Sequence, residues 1–219
     1  MGGLIPLSDA SRRPKSFPVV TAAIIVVNVV VFVMELMGGE AFVMQWAETP
    51  ATIVAGHHWI TILTAMFMHA GWMHIIGNMV FLWAFGPEIE DAMGPLKYLA
   101  FYLLSGLAAS LAQTALMPSS TVPNLGASGA IAGVMGAFLV TYPHDRMRAL
   151  LFFGWFIRIT IIPAALLIGL WFLIQLFSQV GAVADVKTGG GVAYMAHVGG
   201  FIFGAVTGRI FEGFRRIDD

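Results

Sequence analysis

The chain contains no cysteine, so disulfides, a thiol nucleophile and Cys-ligated zinc, iron-sulfur or redox-pair chemistry are all excluded. Charge is also scarce. Only 11% of the 219 residues are Asp, Glu, Lys or Arg, less than half the usual share of a soluble domain, and the net charge of -1 provides no basic footprint for nucleic acid. No HExxH pair is written anywhere, and every aspartate (9, 91, 145, 185, 218 and 219) falls outside the long apolar stretches. Zinc-dependent and paired-aspartate hydrolysis inside a membrane therefore lack their residues. Long apolar runs are abundant instead: 58% of residues are hydrophobic and mean hydropathy is +0.85. Lipid is the solvent that such a composition suits.

Six stretches have the length and near-absence of charge that crossing a bilayer requires, near 19–37, 70–86, 96–117, 127–142, 161–178 and 192–211. They show no period-2 alternation, which predicts an all-α, six-helix membrane domain rather than a barrel. Residues 1–18 and 212–219 are expected to be short tails on one membrane domain, 19–211. Orientation follows from basic residues, which favour cytoplasmic loops. Ten of the eleven Lys and Arg residues fall at the two ends and in the even-numbered loops, with Lys187 alone on the other side, so both termini are expected in the cytoplasm. The long first loop, about 38–69, carries Trp46, Trp59, Ile60 and Ile62 and predicts a short amphipathic element in the outer interface. Gly189, Gly190 and Gly191 predict a hinge before the last span.

Polar side chains within such spans are functional candidates, because lipid penalises them. Four stand out. His74 and Asn78 share a helix face at the start of the second span; Ser128 begins the fourth, in Gly126-Ala127-Ser128-Gly129; His197 lies near the start of the sixth, in Ala196-His197-Val198-Gly199-Gly200. Spans two, four and six run in the same direction, so all four residues share the outer leaflet. The fourth stretch reaches only about 24 Å against a hydrocarbon core of about 30 Å, which sets Ser128 several Å below the surface, near the depth of His197. Small-residue stripes at Gly126, Gly129, Gly133 and Gly136, and at Gly200, Gly204 and Gly208, allow the two helices to approach closely. A serine beside a histidine is a nucleophile and its base. The Ser128 amide at a helix start, the Asn78 carboxamide and the His74 imidazole are candidate donors to an oxyanion. No carboxylate is placed to complete a triad, so a Ser-His dyad is the arrangement expected.

These motifs resemble those of the rhomboid intramembrane serine proteases: GxSG reads Gly126-Ala127-Ser128-Gly129, HxxxN reads His74 to Asn78, and the last-helix histidine with its small residues reads His197, Gly200 and Gly204. The resemblance implies an endopeptidase that cuts transmembrane helices of other proteins in or near the outer leaflet. It implies Ser128 as nucleophile, His197 as base and then acid, and His74, Asn78 and the Ser128 amide around the oxyanion. It also implies lateral substrate entry between the second and fifth helices, with no metal or cofactor. Its expected partners are membrane-protein substrates and the lipid bilayer; compact size and basic ends suggest a bacterial inner membrane. Two departures mark this chain. Ile60-Thr61 follows Trp59 where many rhomboids carry Trp-Arg, and Ala132 stands where some place a tyrosine against the histidine, a role Tyr194 is a candidate to fill. Two other classes compete: a proteolytically inactive rhomboid-like protein that binds transmembrane clients, and a small transporter, which would carry carboxylates or charge pairs along its path. Oligomeric state is not legible from the glycine stripes.

Overall fold

Most of the chain is helical, but the prediction of an all-α chain is corrected by a three-stranded sheet in the computed structural model. The described backbone comprises residues 2–184 and 194–212, and the described side chains 3–174 and 195–212. Lys187, the Gly189–Gly191 run, the Tyr194 side chain and the basic residues Arg215 and Arg216 lie outside the described residues. The elements in order are β1 (Gly2–Asp9), α1 (Val19–Trp46), α2 (Pro50–Val54), α3 (Ile60–Ala65), α4 (Trp72–Met93), α5 (Pro95–Leu116), α6 (Ser128–Thr141), β2 (Arg146–Phe153), β3 (Phe156–Pro163), α7 (Ala164–Ala184) and α8 (Tyr194–Phe211).

The strands pair antiparallel in the order β1-β2-β3, and β3 runs into α7 without a linker. Their signal was a short alternation: Arg146 and Arg148 are exposed while Met147 and Ala149 are fully buried. The apolar run 150–153 masks that alternation in β2, and in β3 it returns only at Arg158 and Thr160, so residues 161–163, read as the start of a span, finish a strand instead. β1 draws Gly2–Asp9 onto the sheet, with an irregularity between Pro6 and Ser8.

α6 is the central helix. Every residue from Gly129 to Phe138 is buried, as befits a helix apolar on all sides. Around it pack Leu82 and Phe85 of α4, Tyr98, Phe101 and Tyr102 of α5, and Phe201 of α8. α4 and α5 are joined at Gly94, whose φ of 80° suits glycine, followed by Pro95 in the first turn of α5. α4 continues two turns past the predicted end at 86, and there the Glu90 carboxylate accepts hydrogen bonds from the Val20 and Thr21 amides and the Thr21 hydroxyl. It thereby supplies the cap that Pro18 cannot give to α1. Within the described residues, α1 and α5 are long and apolar enough to cross a bilayer; Ser128–Thr141, Ala164–Ile174 and Met195–Phe211 are shorter apolar helices.

The first loop holds more helix than predicted. α1 runs to Trp46 through a break at Gly39, and α2 and α3 follow. The loop is fastened by hydrogen bonds to backbone groups. Thr64 donates its hydroxyl to the Trp46 carbonyl, Thr61 donates to the His58 carbonyl, and the His69 amide donates to both oxygens of buried Glu35 at 3.0 and 3.1 Å. Thr61, one of the two departures, is therefore buried and bonded within the loop.

Candidate active site

Two helices set the spacing of the reactive groups. α6 and α8 run parallel with their backbones in contact: a Cβ at Gly200 would overlap the Gly129 carbonyl, one at Gly204 the Gly133 carbonyl, and one at Gly208 would lie 2.8 Å from Ala137. Each layer advances four residues on both helices, so the register is continuous for two turns. Gly136 meets the Phe201 carbonyl in the same way. Substitution at any of these positions needs movement of peptide groups rather than of side chains.

At the end of that seam, Ser128 is the first residue of α6 and His197 the fourth of α8. Nε2 of His197 lies 2.7 Å from Oγ of Ser128, a hydrogen-bond distance at which the imidazole accepts the hydroxyl proton when Nε2 is unprotonated. His197 is buried and Ser128 partly open. The helix start leaves the Ser128 amide with no acceptor four residues back.

His74, from α4, stands on the near side of the same region, and Asn78 follows it one turn further along that helix. The Ala70 amide donates to Nδ1 of His74 at 3.2 Å, which places the ring proton on Nε2. That nitrogen faces Gly126: an ideal Cβ there would sit 3.1 Å from His74 Nε2 and 3.4 Å from Ser128 Oγ, and its φ of 135° strains any side chain. Gly126 therefore keeps open the space between imidazole and hydroxyl. Asn78 is buried, and its Nδ2 has no hydrogen-bond partner among the described residues. Behind Ser128 lies a cavity of about 40 Å³ bordered by Glu48, Ser110, Asn124 and Gly126, where Glu48 accepts a 2.8 Å hydrogen bond from Thr114.

Sequence reasoning missed Trp171. Ala132 is fully buried and presents no ring, but the indole of Trp171, from α7, packs 5.7 Å from the His197 imidazole at a 45° tilt. The available signal was a tryptophan far from either end of an apolar helix, since this residue usually gathers at membrane interfaces. Next to it, Phe172 stacks on Phe201 at 4.4 Å. His69 also touches the site, its ring edge-on to His74 at 5.1 Å, although only its amide ties down the loop. Among the described residues no group of three or more His, Asp or Glu side chains could hold a metal ion.

A family model described as the rhomboid domain matches residues 56–213, most of the chain. The chain belongs to the rhomboid family. It is 33% identical over 135 residues to the Rhomboid protease GluP of Bacillus subtilis (strain 168), covering 60% of this chain and 26% of that protein. Rhomboid protein 1, mitochondrial, of Saccharomyces cerevisiae is 29% identical over 157 residues, or 68% of this chain and 41% of the relative. RHOMBOID-like protein 2 of Arabidopsis thaliana is 30% identical over 175 residues, 80% of this chain and 47% of the relative. The chain thus spans less than half the length of these relatives. As a rhomboid it is membrane-embedded, and the family is generally one of intramembrane serine proteases. The matched region opens in the first loop, so β1 and α1 lie ahead of it.

Proposed function

We propose that this protein is an intramembrane serine endopeptidase working through a Ser128-His197 dyad. The observation that carries the reading is the 2.7 Å approach of His197 Nε2 to Ser128 Oγ at the mouth of a backbone-packed seam. Ser128 Oγ attacks the carbonyl carbon of a peptide bond while His197 takes its proton. The oxygen of the tetrahedral intermediate gains negative charge, which the Ser128 amide, His74 Nε2–H and Asn78 Nδ2–H stabilise. Collapse expels the amine, protonated by His197, and leaves an acyl-enzyme that water then hydrolyses with His197 acting again as base.

The substrate class is a transmembrane segment of another protein, cut in or near the outer leaflet, with six spans and both termini in the cytoplasm. α1, α4, α5, α6, α7 and α8 supply the six, and the outer ends of α4, α6 and α8 carry the site. The indole of Trp171 packs on His197 and holds its ring. A bacterial inner membrane suits the compact chain and its basic ends.

The test needs no knowledge of substrate. A fluorophosphonate probe, which reacts only with an activated serine, is applied to the purified protein in mild detergent beside Ser128→Ala and His197→Ala. Labelling of the wild type alone is expected. Labelling that survives Ser128→Ala, or a folded wild type that never labels, would overturn the proposal and favour a client-binding rhomboid.

A further inference from the structure

The sheet at the end of the bundle opposite Ser128 has two dissimilar faces. One buries Met147 and Ala149 against the helices at its root and exposes Leu151, Phe153, Phe156 and Arg158 toward the tip. On the other, the pairs Arg148↔Ile161, Leu150↔Ile159 and Phe152↔Ile157 follow one another toward the hairpin turn. Ile157, Ile159 and Ile161 on that face are 68%, 62% and 50% exposed, and Trp155 in the turn is 97% exposed. Arg146 and Arg148 stand exposed at the root of the same face. Such a surface is apolar toward the tip and cationic at the base.

Two further observations say what covers it. β3 continues without a linker into α7, whose exposed Leu166, Leu170 and Leu173 face outward from the bundle, so the isoleucine face prolongs a lipid-facing surface. At the other edge, Pro6 and Leu7 of β1 border an apolar groove of about 600 Å³ with Ile25 and Val29 of α1 and Met79 and Trp83 of α4. Ile25 is the seventh residue of α1, about 9 Å along the helix at 1.5 Å per residue, so β1 reaches beside the transmembrane helices rather than below them. Pro6 has no amide to leave unpaired there.

We propose that the isoleucine face and the Trp155 turn lie in the interface of the leaflet nearest the sheet and bind anionic phospholipid, with Arg146 and Arg148 on the phosphates. Apolar side chains at the level of the upper acyl chains and guanidinium groups at the headgroups are what an interfacial element requires. The unpaired edge of β3 fixes the depth. Its free amides and carbonyls are not tolerated in hydrocarbon, but phosphate, ester and water satisfy them at the headgroup level. This inference rests on the membrane-embedded fold and is independent of the serine chemistry.

The absence of cysteine makes the test direct. Single variants Ile157→Cys and Ile159→Cys of the full chain carry a nitroxide in vesicles of phosphatidylcholine with phosphatidylglycerol, with Leu170→Cys as lipid reference and Ser119→Cys as water reference. Both sheet labels are expected to collide with oxygen in preference to a water-soluble nickel chelate, at values between the two references. Arg146→Gln with Arg148→Gln, or vesicles of phosphatidylcholine alone, shifts them toward water, by about fivefold in the inserted-to-exposed ratio for each arginine lost. Labels matching Ser119→Cys would overturn the proposal, as would spin-spin broadening that vanishes on dilution and so marks a second copy on the β3 edge. In unlabelled protein, the fluorescence lost on Trp155→Phe is expected to be quenched by phosphatidylglycerol brominated near its glycerol end; an unquenched signal counts against the proposal equally.

Discussion

The seam between α6 and α8 and the contact of α7 with the rest of the bundle are built on opposite terms. In the seam, glycines let peptide groups touch across two turns, and nothing along it has a rotamer to change. α7 touches the site through the side chains of Trp171 and Phe172, set on His197 and Phe201, while Leu166, Leu170 and Leu173 face outward. The difference teaches how the proposed Ser128-His197 pair is kept in register beside a helix held by side chains. The pair lies on the backbone-packed side, and α7 lies where the family resemblance puts substrate entry.

The seam should break first and most completely. Gly204→Val drives side-chain carbons into the Gly133 carbonyl, and overpacking of this kind costs about 1–3 kcal/mol or more. We expect fluorophosphonate labelling to vanish and the thermal midpoint to fall together; a variant that labels normally would mean that the two helices part without disturbing the pair. Gly126→Ala should be milder for the fold and still severe for the site. Its Cβ enters the space between His74 and Ser128 at a φ of 135°, so labelling should slow by roughly the 10²-fold that loss of one oxyanion donor brings, with the midpoint little changed.

On the α7 side, Trp171→Ala removes a ring contact worth about 0.5–1.5 kcal/mol. Labelling should fall by about twofold to tenfold, with Trp171→Phe recovering most of it, because phenylalanine keeps a ring against His197. Equal losses in Trp171→Phe and Trp171→Ala would remove the ring-positioning role. The smallest effect belongs to the sheet. Burial is the main cause that raises the Asp9 carboxyl to about 6, with Asp145 adding to it, against hydrogen bonds from the Ser11 and Arg12 amides. The charged groups around it are Asp145, which pairs with Arg12 over the Tyr142 ring, and Glu88. An acid whose folded value is raised binds its proton more tightly in the folded state, so stability is gained as pH falls through about 6 and lost again as pH rises. Hydrogen exchange of the β1 amides should therefore be slower at roughly pH 5 than at pH 7.5 after correction for intrinsic rate, and Asp9→Asn should reduce the difference.

Much of this contrast was legible in the sequence, and the reasons are specific. The four-residue spacing of Gly129 and Gly133 and of Gly200, Gly204 and Gly208 states a close approach, and Ser128 and His197 stand at the same end of the two stripes. Helix starts at Val19, Ser128 and Tyr194 fall within two residues of those expected, since apolar length and small-residue motifs mark them. The sheet was not legible. Its strands are nearly as apolar as the spans around them, and the alternation in β2 and β3 is carried by only four polar residues, Arg146, Arg148, Arg158 and Thr160. Trp171 escaped because contact across α7 and α8 depends on how two helices are rotated, which spacing within one helix does not contain. The tie from Glu35 to the first loop was not legible either, because its partner is the His69 amide and backbone donors carry no residue type to read.

The peptide-to-peptide contact of α6 with α8 has a consequence for behaviour on warming. Side chains gain rotamer freedom as temperature rises, whereas a contact made of carbonyl oxygens and glycine carbons has none to gain. Heat therefore slackens the Trp171 and Phe172 contacts before it lengthens the serine-histidine distance. On the proposed function, partial warming is expected first to widen the range of segments admitted, while each one admitted is still cut at nearly full speed.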